Sequence, residues 1–149
     1  MVSMKTSELL LKLKNNMEKY KLKMQDNRKN DSLNQIMSKY NLENFNEIMN
    51  ASLEELDEEV DEEKLKDLQN RIDHYFSLYA PDDENFKEFI KAISIYLTFI
   101  AKKPLHPPGI IFSNGDTVYK KEDVYYCTGK STFIQDKLAL CKYCVCKGI

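Results

Sequence analysis

The chain is predicted to be mainly α, a helical bundle of about four helices carrying a small C-terminal β-meander and a Cys/His metal-binding module. Two observations predict this. Through residues 7–102 apolar side chains recur at steps of three and four, the period of helices with one buried face. From Lys103 the pattern changes: the stretch to Cys146 holds all four cysteines, one of the two histidines, three of the four prolines and three of the four glycines. We read 1–149 as a single domain, with a helical body at 1–103 and a Cys/His-containing tail at 104–149 packed on it. At 149 residues the chain can bury one modest core.

In the helical body the first helix is expected over about Ser7–Gln25, with Leu10, Leu13, Met17, Tyr20 and Met24 in one stripe on a lysine-rich cylinder. A polar linker follows to Asp31. Asp31 or Ser32 caps a second helix, with Leu33, Ile36, Met37 and Tyr40 on one face and Phe45, Ile48 and Met49 on another, so a split at Asn41 is expected. The run Glu54–Glu63 carries eight acids in ten positions. It lacks the spaced oxygens and turn glycine of a calcium loop, and suits the positive end of a helix dipole. The third helix, Asp61–Tyr79, is expected to bury Leu65, Leu68, Ile72, Tyr75, Phe76 and Tyr79, and places His74 off that stripe. Pro81 stops it and Asp82 or Asp83 caps the fourth, Asp83–Lys102. That helix is apolar nearly all round over its last turns, so the other helices must cover one face and the tail the other.

The tail has a strand period. Ile110–Phe112 and Thr117–Lys120 flank Asn114-Gly115, which predicts a type I′ hairpin turn, and Val124–Cys127 reads as a third strand. Three such short strands bury too little to stand alone and need the fourth helix, a metal, or both.

Charge is zoned. Residues 1–30 carry +5, residues 31–101 carry −11 and residues 102–149 carry +4, for a net −2. Only two of the 22 basic residues are arginine, a poor composition for reading bases or phosphates bidentately, so sequence-specific nucleic-acid binding is not expected. No export signal and no membrane span is expected, since the apolar run Ala92–Ala101 is too short to cross a bilayer. A cytoplasmic location, with reduced cysteines, follows as the expectation.

The chemistry concentrates at the cysteines. Cys141-Lys-Tyr-Cys144 has the C-x₂-C spacing that lets two thiolates reach one ion from a tight turn. Cys127 ends a strand and offers a third sulfur, and His106, on a proline-stiffened segment, a fourth ligand. Cys146 ranks last as a ligand because it lies three residues from the end of the sequence, where chains fray. Structural zinc at His106, Cys127, Cys141 and Cys144 is the leading reading. An iron–sulfur cluster and metal-free thiols are the alternatives.

The same residues carry a resemblance. Leu105-His-Pro-Pro-Gly109, Tyr125-Tyr-Cys127 and Ala139-Leu-Cys-Lys-Tyr-Cys144, with Ile93–Ile100 before them, look like the signature of an uncharacterised family of small proteins from methanogenic archaea. The likeness spans residues 60–146 well and the N-terminal third loosely. It implies an archaeal protein with no assigned activity, and His106, Cys127, Cys141 and Cys144 fall on its motif positions. Where the family is expected to have proline after Tyr-Tyr-Cys, this chain has Thr128.

No catalytic constellation is complete. Gly129-Lys130-Ser131 is only the end of a phosphate-binding loop, without its first glycine. A thiol hydrolase would pair a cysteine such as Cys127 with His106 and orient it through Asp123 or Asp136. The leading function is therefore a non-enzymatic adaptor or interaction protein with a structural zinc module and an unidentified protein partner. A zinc- or thiol-dependent hydrolase, or an iron–sulfur protein, is the competing class.

Overall fold

The computed structural model describes residues 4–18, 32–54, 56–112, 114–134, 136 and 139–148, with the side chains of 32–35 and 133 left aside. The helices are α1 (Thr6–Met17), α2 (Ser32–Asn50), α3 (Glu62–Tyr79) and α4 (Glu84–Ile95), and α4 runs on into a π-helical turn, Tyr96–Ala101. The tail contributes β1 (Val118–Lys121), β2 (Val124–Cys127), the one-turn α5 (Lys130–Phe133) and β3 (Lys147–Gly148). The last part of the expected first helix, with Tyr20 and Met24, and the linker to Asp31 lie outside the described residues.

The helical periodicity translates into one core, except that Tyr75 and Tyr79, expected on the buried side of α3, are exposed and pack on each other instead. Leu9, Leu10, Leu13 and Met17 of α1 meet Phe45 and Ile48 of α2, Leu68 and Ile72 of α3, and Phe89 and Ile93 of α4. Asp61 caps α3 by accepting from Lys64 N–H, and Asp83 caps α4 by accepting from Phe86 N–H. Helix α2 is continuous through Asn41, contrary to the expected split. Asn44 lies one turn on and donates Nδ2 to the Tyr40 carbonyl at 2.9 Å, an i−4 back-bond that keeps a buried amide inside the helix.

The acidic run ends in the first turn of α3 with Glu62 and Glu63, and the loop before it joins to the N-terminal segment. Thr6 N–H donates to the Glu58 carbonyl at 2.9 Å and Val60 N–H to the Met4 carbonyl at 2.8 Å. Its charges meet the basic zones across the fold: Lys5 pairs with Asp57 and Lys102 with Glu58, each at 3.8 Å. Lys103 Nζ likewise reaches Glu47 at 2.7 Å.

The sheet has three strands, but not the expected three. β1 and β2 form an antiparallel hairpin, and β3 joins β2 in parallel, giving the order β1-β2-β3. Ile110–Phe112 contributes only an isolated bridge, Ile111 to Thr117. The type I′ geometry lies one hairpin later than expected. Glu122 and Asp123 both have positive φ (51° and 65°), whereas at Asn114-Gly115 only the glycine does. Asp123 carries this without glycine because a short polar side chain tolerates the left-handed region.

The tail has a small core of its own: Ile110, Val118 and Cys146, with Met37, Phe112 and Tyr125 packed against it. Three contacts fix the tail to the helices. The Tyr40 hydroxyl donates to the Pro104 carbonyl at 2.6 Å. Arg71 of α3 donates to the carbonyls of Asp136 at 3.2 Å and Ala139 at 2.9 Å. Tyr143 donates its hydroxyl to the Asp67 carboxylate. Among the described residues, no helix is long and apolar enough to cross a membrane.

Candidate functional site

The four cysteines are free thiols, and all four line one cavity of about 560 Å³ between α2, α4 and the tail. Each comes from a different local device. Cys127 ends β2, where its pairing with Val118 and Gly148 fixes the strand. Cys141 and Cys144 bracket a single turn in which Cys144 N–H donates to the carbonyls of Leu140 (3.2 Å) and Cys141 (3.3 Å). Cys146 precedes β3 and is 2% exposed, within the tail's core. It was expected at a fraying end; parallel pairing of the next two residues with β2 instead holds it in place.

The sulfurs interact. Cys146 donates its thiol proton to the Cys144 sulfur, which also receives backbone N–H groups of Leu105 and Cys146 and lies near Lys130. The Cys146 hydrogen bond is the largest influence, and together they lower the Cys144 thiol to about 6 against the opposing effect of burial. For Cys146 the same hydrogen bond works in reverse, and with burial it pushes the thiol well up. Burial, with the sulfurs of Cys127 and Cys144 nearby, raises Cys141.

Lys130 was read from sequence only as the remnant of a phosphate loop. In the fold its Nζ donates to the carbonyls of Cys144 at 2.7 Å and Cys146 at 2.6 Å, tying α5 to the cysteine segment. Gly129, just before it, is buried against Asp116: a Cβ there would stand 3.0 Å from the carboxylate oxygen, so a larger residue would oblige the Asp116 side chain to give way.

His106 also lines the cavity, with its ring edge-on to Phe112 at 5.0 Å between centroids. Burial lowers its pKa and favours the neutral imidazole. The expected orienting acids are elsewhere. Asp123 sits in the exposed β1–β2 turn, where it pairs with Lys120 at 3.7 Å, and Asp136 is exposed at the Arg71 contact. A Cys127–His106–Asp123 triad is therefore not assembled. Among the described residues, no three His, Cys, Asp or Glu side chains form a group that could hold a metal ion as they stand.

The cavity's other walls are apolar, including Met37 of α2, Ile90 and Ile93 of α4, and Leu97 of the π turn. Asp67, Arg71 and Tyr143 position the cysteine turn from outside the cavity. The signal for them in the sequence was slight: one of two arginines, four residues after an aspartate.

An all-α body carrying a thiol-lined tail defines a protein class without an assigned chemistry. The chain belongs to the family described as an uncharacterized protein conserved in archaea (DUF2115), whose model matches residues 3–149. A UPF0305 protein of Methanocaldococcus jannaschii is 46% identical over 114 residues, covering 76% of this chain and 69% of that protein. A second, from Methanococcus maripaludis strain C6, is 34% identical over 104 residues, 69% of this chain and 63% of its own length. A third, from Methanothermobacter thermautotrophicus, is 37% identical over 87 residues, 58% of this chain and 53% of its own. No solved structure matches the chain.

Proposed function

We propose that the tail is a zinc-binding module in a non-enzymatic protein, with the metal fastening the cysteine turn to β2. One observation carries the reading: four free thiols from three segments face one cavity. Thiolates are the donors zinc prefers, and a site of this kind has Zn–S distances near ~2.3 Å. Cys127, Cys141 and Cys144 supply three ligands. Cys146 is better placed for the fourth than His106, because it is buried within the tail's core beside Cys144 while the imidazole packs on Phe112. The thiols must close in by side-chain rotation or by a small movement of 139–148, since no ready-made group of three exists among the described residues.

Zinc holding the tail rigid leaves the helical body as the part that meets an unidentified protein partner. The thiol-hydrolase alternative lacks an orienting carboxylate beside His106, as Asp123 is committed to the exposed turn and Asp136 is exposed at the Arg71 contact. Metal analysis of protein purified without added metal, followed by zinc titration of the reduced apoprotein, tests the module. One tightly held zinc per chain is expected, lost in Cys141→Ser and weakened more by Cys146→Ser than by His106→Ala. Iron with inorganic sulfide in place of zinc would transfer the site to the cluster chemistry weighed above. Failure of the reduced apoprotein to take up zinc sinks the reading.

A further inference from the structure

The cavity is much larger than a metal ion requires. Its volume of about 560 Å³ lies within the range of ~300–1,000 Å³ in which small-molecule pockets fall. The helical wall supplies Met37, Ile90, Ile93 and Leu97, and the tail adds Leu105 and Phe112 opposite. One wall is the π-helical turn, a strained geometry that concentrates at functional sites.

The charged groups on the lining already have hydrogen-bond partners within the tail. Lys130 spends hydrogen bonds on two carbonyls and lies by the Cys144 sulfur. Asp116 accepts from Asn114 Nδ2 at 2.8 Å and from Thr128 Oγ1 at 3.1 Å. The His106 ring is packed edge-on against Phe112. Among the described residues, the one lining ammonium group is committed to tail carbonyls. Both oxygens of the one lining carboxylate already accept hydrogen bonds within the tail, so neither group is open to a charged ligand. Asn41 and Ser94 supply neutral hydrogen-bonding groups on the helical side.

We propose that this cavity is a binding site for a small, neutral, mainly apolar organic molecule bearing a hydrogen-bonding group that meets Asn41 or Ser94. The apolar body lies on α4 and the π turn, where burial supplies the affinity, and the polar group sets its orientation. The site shares its cavity with the cysteines but does not rest on the zinc reading, because its contacts come from α2, α4, the π turn, Leu105 and Phe112 rather than from the sulfurs.

The neutral fluorophore N-phenyl-1-naphthylamine, titrated into the full chain, tests the site, with the anionic 1-anilinonaphthalene-8-sulfonate for comparison. Saturable binding of the neutral probe at one site is expected. Met37→Trp or Leu105→Trp, each filling the cavity, should weaken it by about tenfold or more. Tyr79→Ser, on the exposed α3 surface, should leave it unchanged. If either filled variant fails to fold, methyl NMR of the unmutated protein decides: resonances of Ile90, Ile93 and Leu97 should shift with probe while that of Leu10 on α1 stays. Absent saturable binding, binding that survives both folded variants, loss on Tyr79→Ser, or shifts confined to residues outside the cavity would each overturn the site. Binding of the anionic probe about tenfold more tightly than the neutral one would overturn the ligand class.

Discussion

Tyr143 donates its phenolic proton to the carboxylate of Asp67, so the turn that carries Cys141 and Cys144 is latched to the exposed side of α3. Arg71 completes the latch from the next turn, binding Asp67 through Nε at 3.0 Å and the Ala139 carbonyl at 2.9 Å. Arg71→Ala removes both and leaves two tail carbonyls to water. A loss of about 1–2 kcal/mol is expected, typical of a few partly exposed hydrogen bonds. Amide exchange should speed up at 139–146 while α4 stays protected. Equal acceleration in α4 would show that the latch supports the whole fold rather than the tail.

The same latch sets an acid limit. The Tyr143 hydrogen bond first, then Arg71, holds the Asp67 carboxyl below its ordinary value of 3.8, and Lys142 adds to this. A depressed carboxylate contributes stability that is present above the unfolded pKa and disappears as pH falls through the folded one. The window therefore lies below about pH 4. Wild-type protein should lose melting temperature across it, and Asp67→Asn, already lacking the charge, should lose less. The difference will be small, because the Asp67 side chain is 44% exposed and screened by water. Parallel melting curves for the two proteins would rule the latch out as an acid-sensitive element.

Ile93→Asp should unfold the protein. The side chain is 2% exposed, and a carboxylate there has no partner in a wall made of Ile90, Leu97 and Met37. An unpaired buried charge costs several kcal/mol, a large part of a small domain's stability. A folded variant melting near the wild-type temperature would contradict the core assignment.

Chelation separates body from tail if zinc is bound as proposed. Metal-binding energy then appears as folding energy of 104–148, and its removal should lower near-UV tyrosine signals of the tail while far-UV helicity persists. Cys141→Ser should match the chelated state. Loss of helicity in step with the metal would mean that the body also depends on it.

How much of this could be read beforehand depended on the range of the interactions. Helices α3 and α4 were legible because local signals coincide there: acids at the start of α3, Asp83 as a cap of α4, Pro81 as punctuation and an apolar period along each. The convergence of Cys127, Cys141 and Cys144 on one cavity was legible in outline, from the C-x₂-C spacing and the strand before it. The third strand was not. Lys147–Gly148 has no strand period, and its pairing with Tyr126 and Cys127 is a parallel contact some twenty residues distant that local pattern does not encode. Cys146 was misjudged for the same reason, since its burial follows from that pairing. The type I′ turn fell at Glu122-Asp123 because the strand register there, Lys121 opposite Val124, leaves only two residues to reverse the chain.

The wide turn at Tyr96–Ala101 acts as a phase shifter. Bonding i to i+5 instead of i to i+4 spends one additional residue per turn, so side chains before and after it are out of step by about 100° with an unbroken α-helix. Upstream, Ile90 and Ile93, with Leu97 near the start of the turn, keep the cavity on one side. Downstream, Lys102 enters the left-handed region at φ 56°, with Lys102 and Lys103 turned toward Glu58 and Glu47. Deleting Thr98, whose buried hydroxyl has no hydrogen-bond partner among the described residues, would bring the two halves back into step. It would also swing the lysines and the Pro104 exit about a quarter turn away from the acids and from Tyr40. The direction in which the tail leaves the bundle is thus set by a count of residues inside a helix.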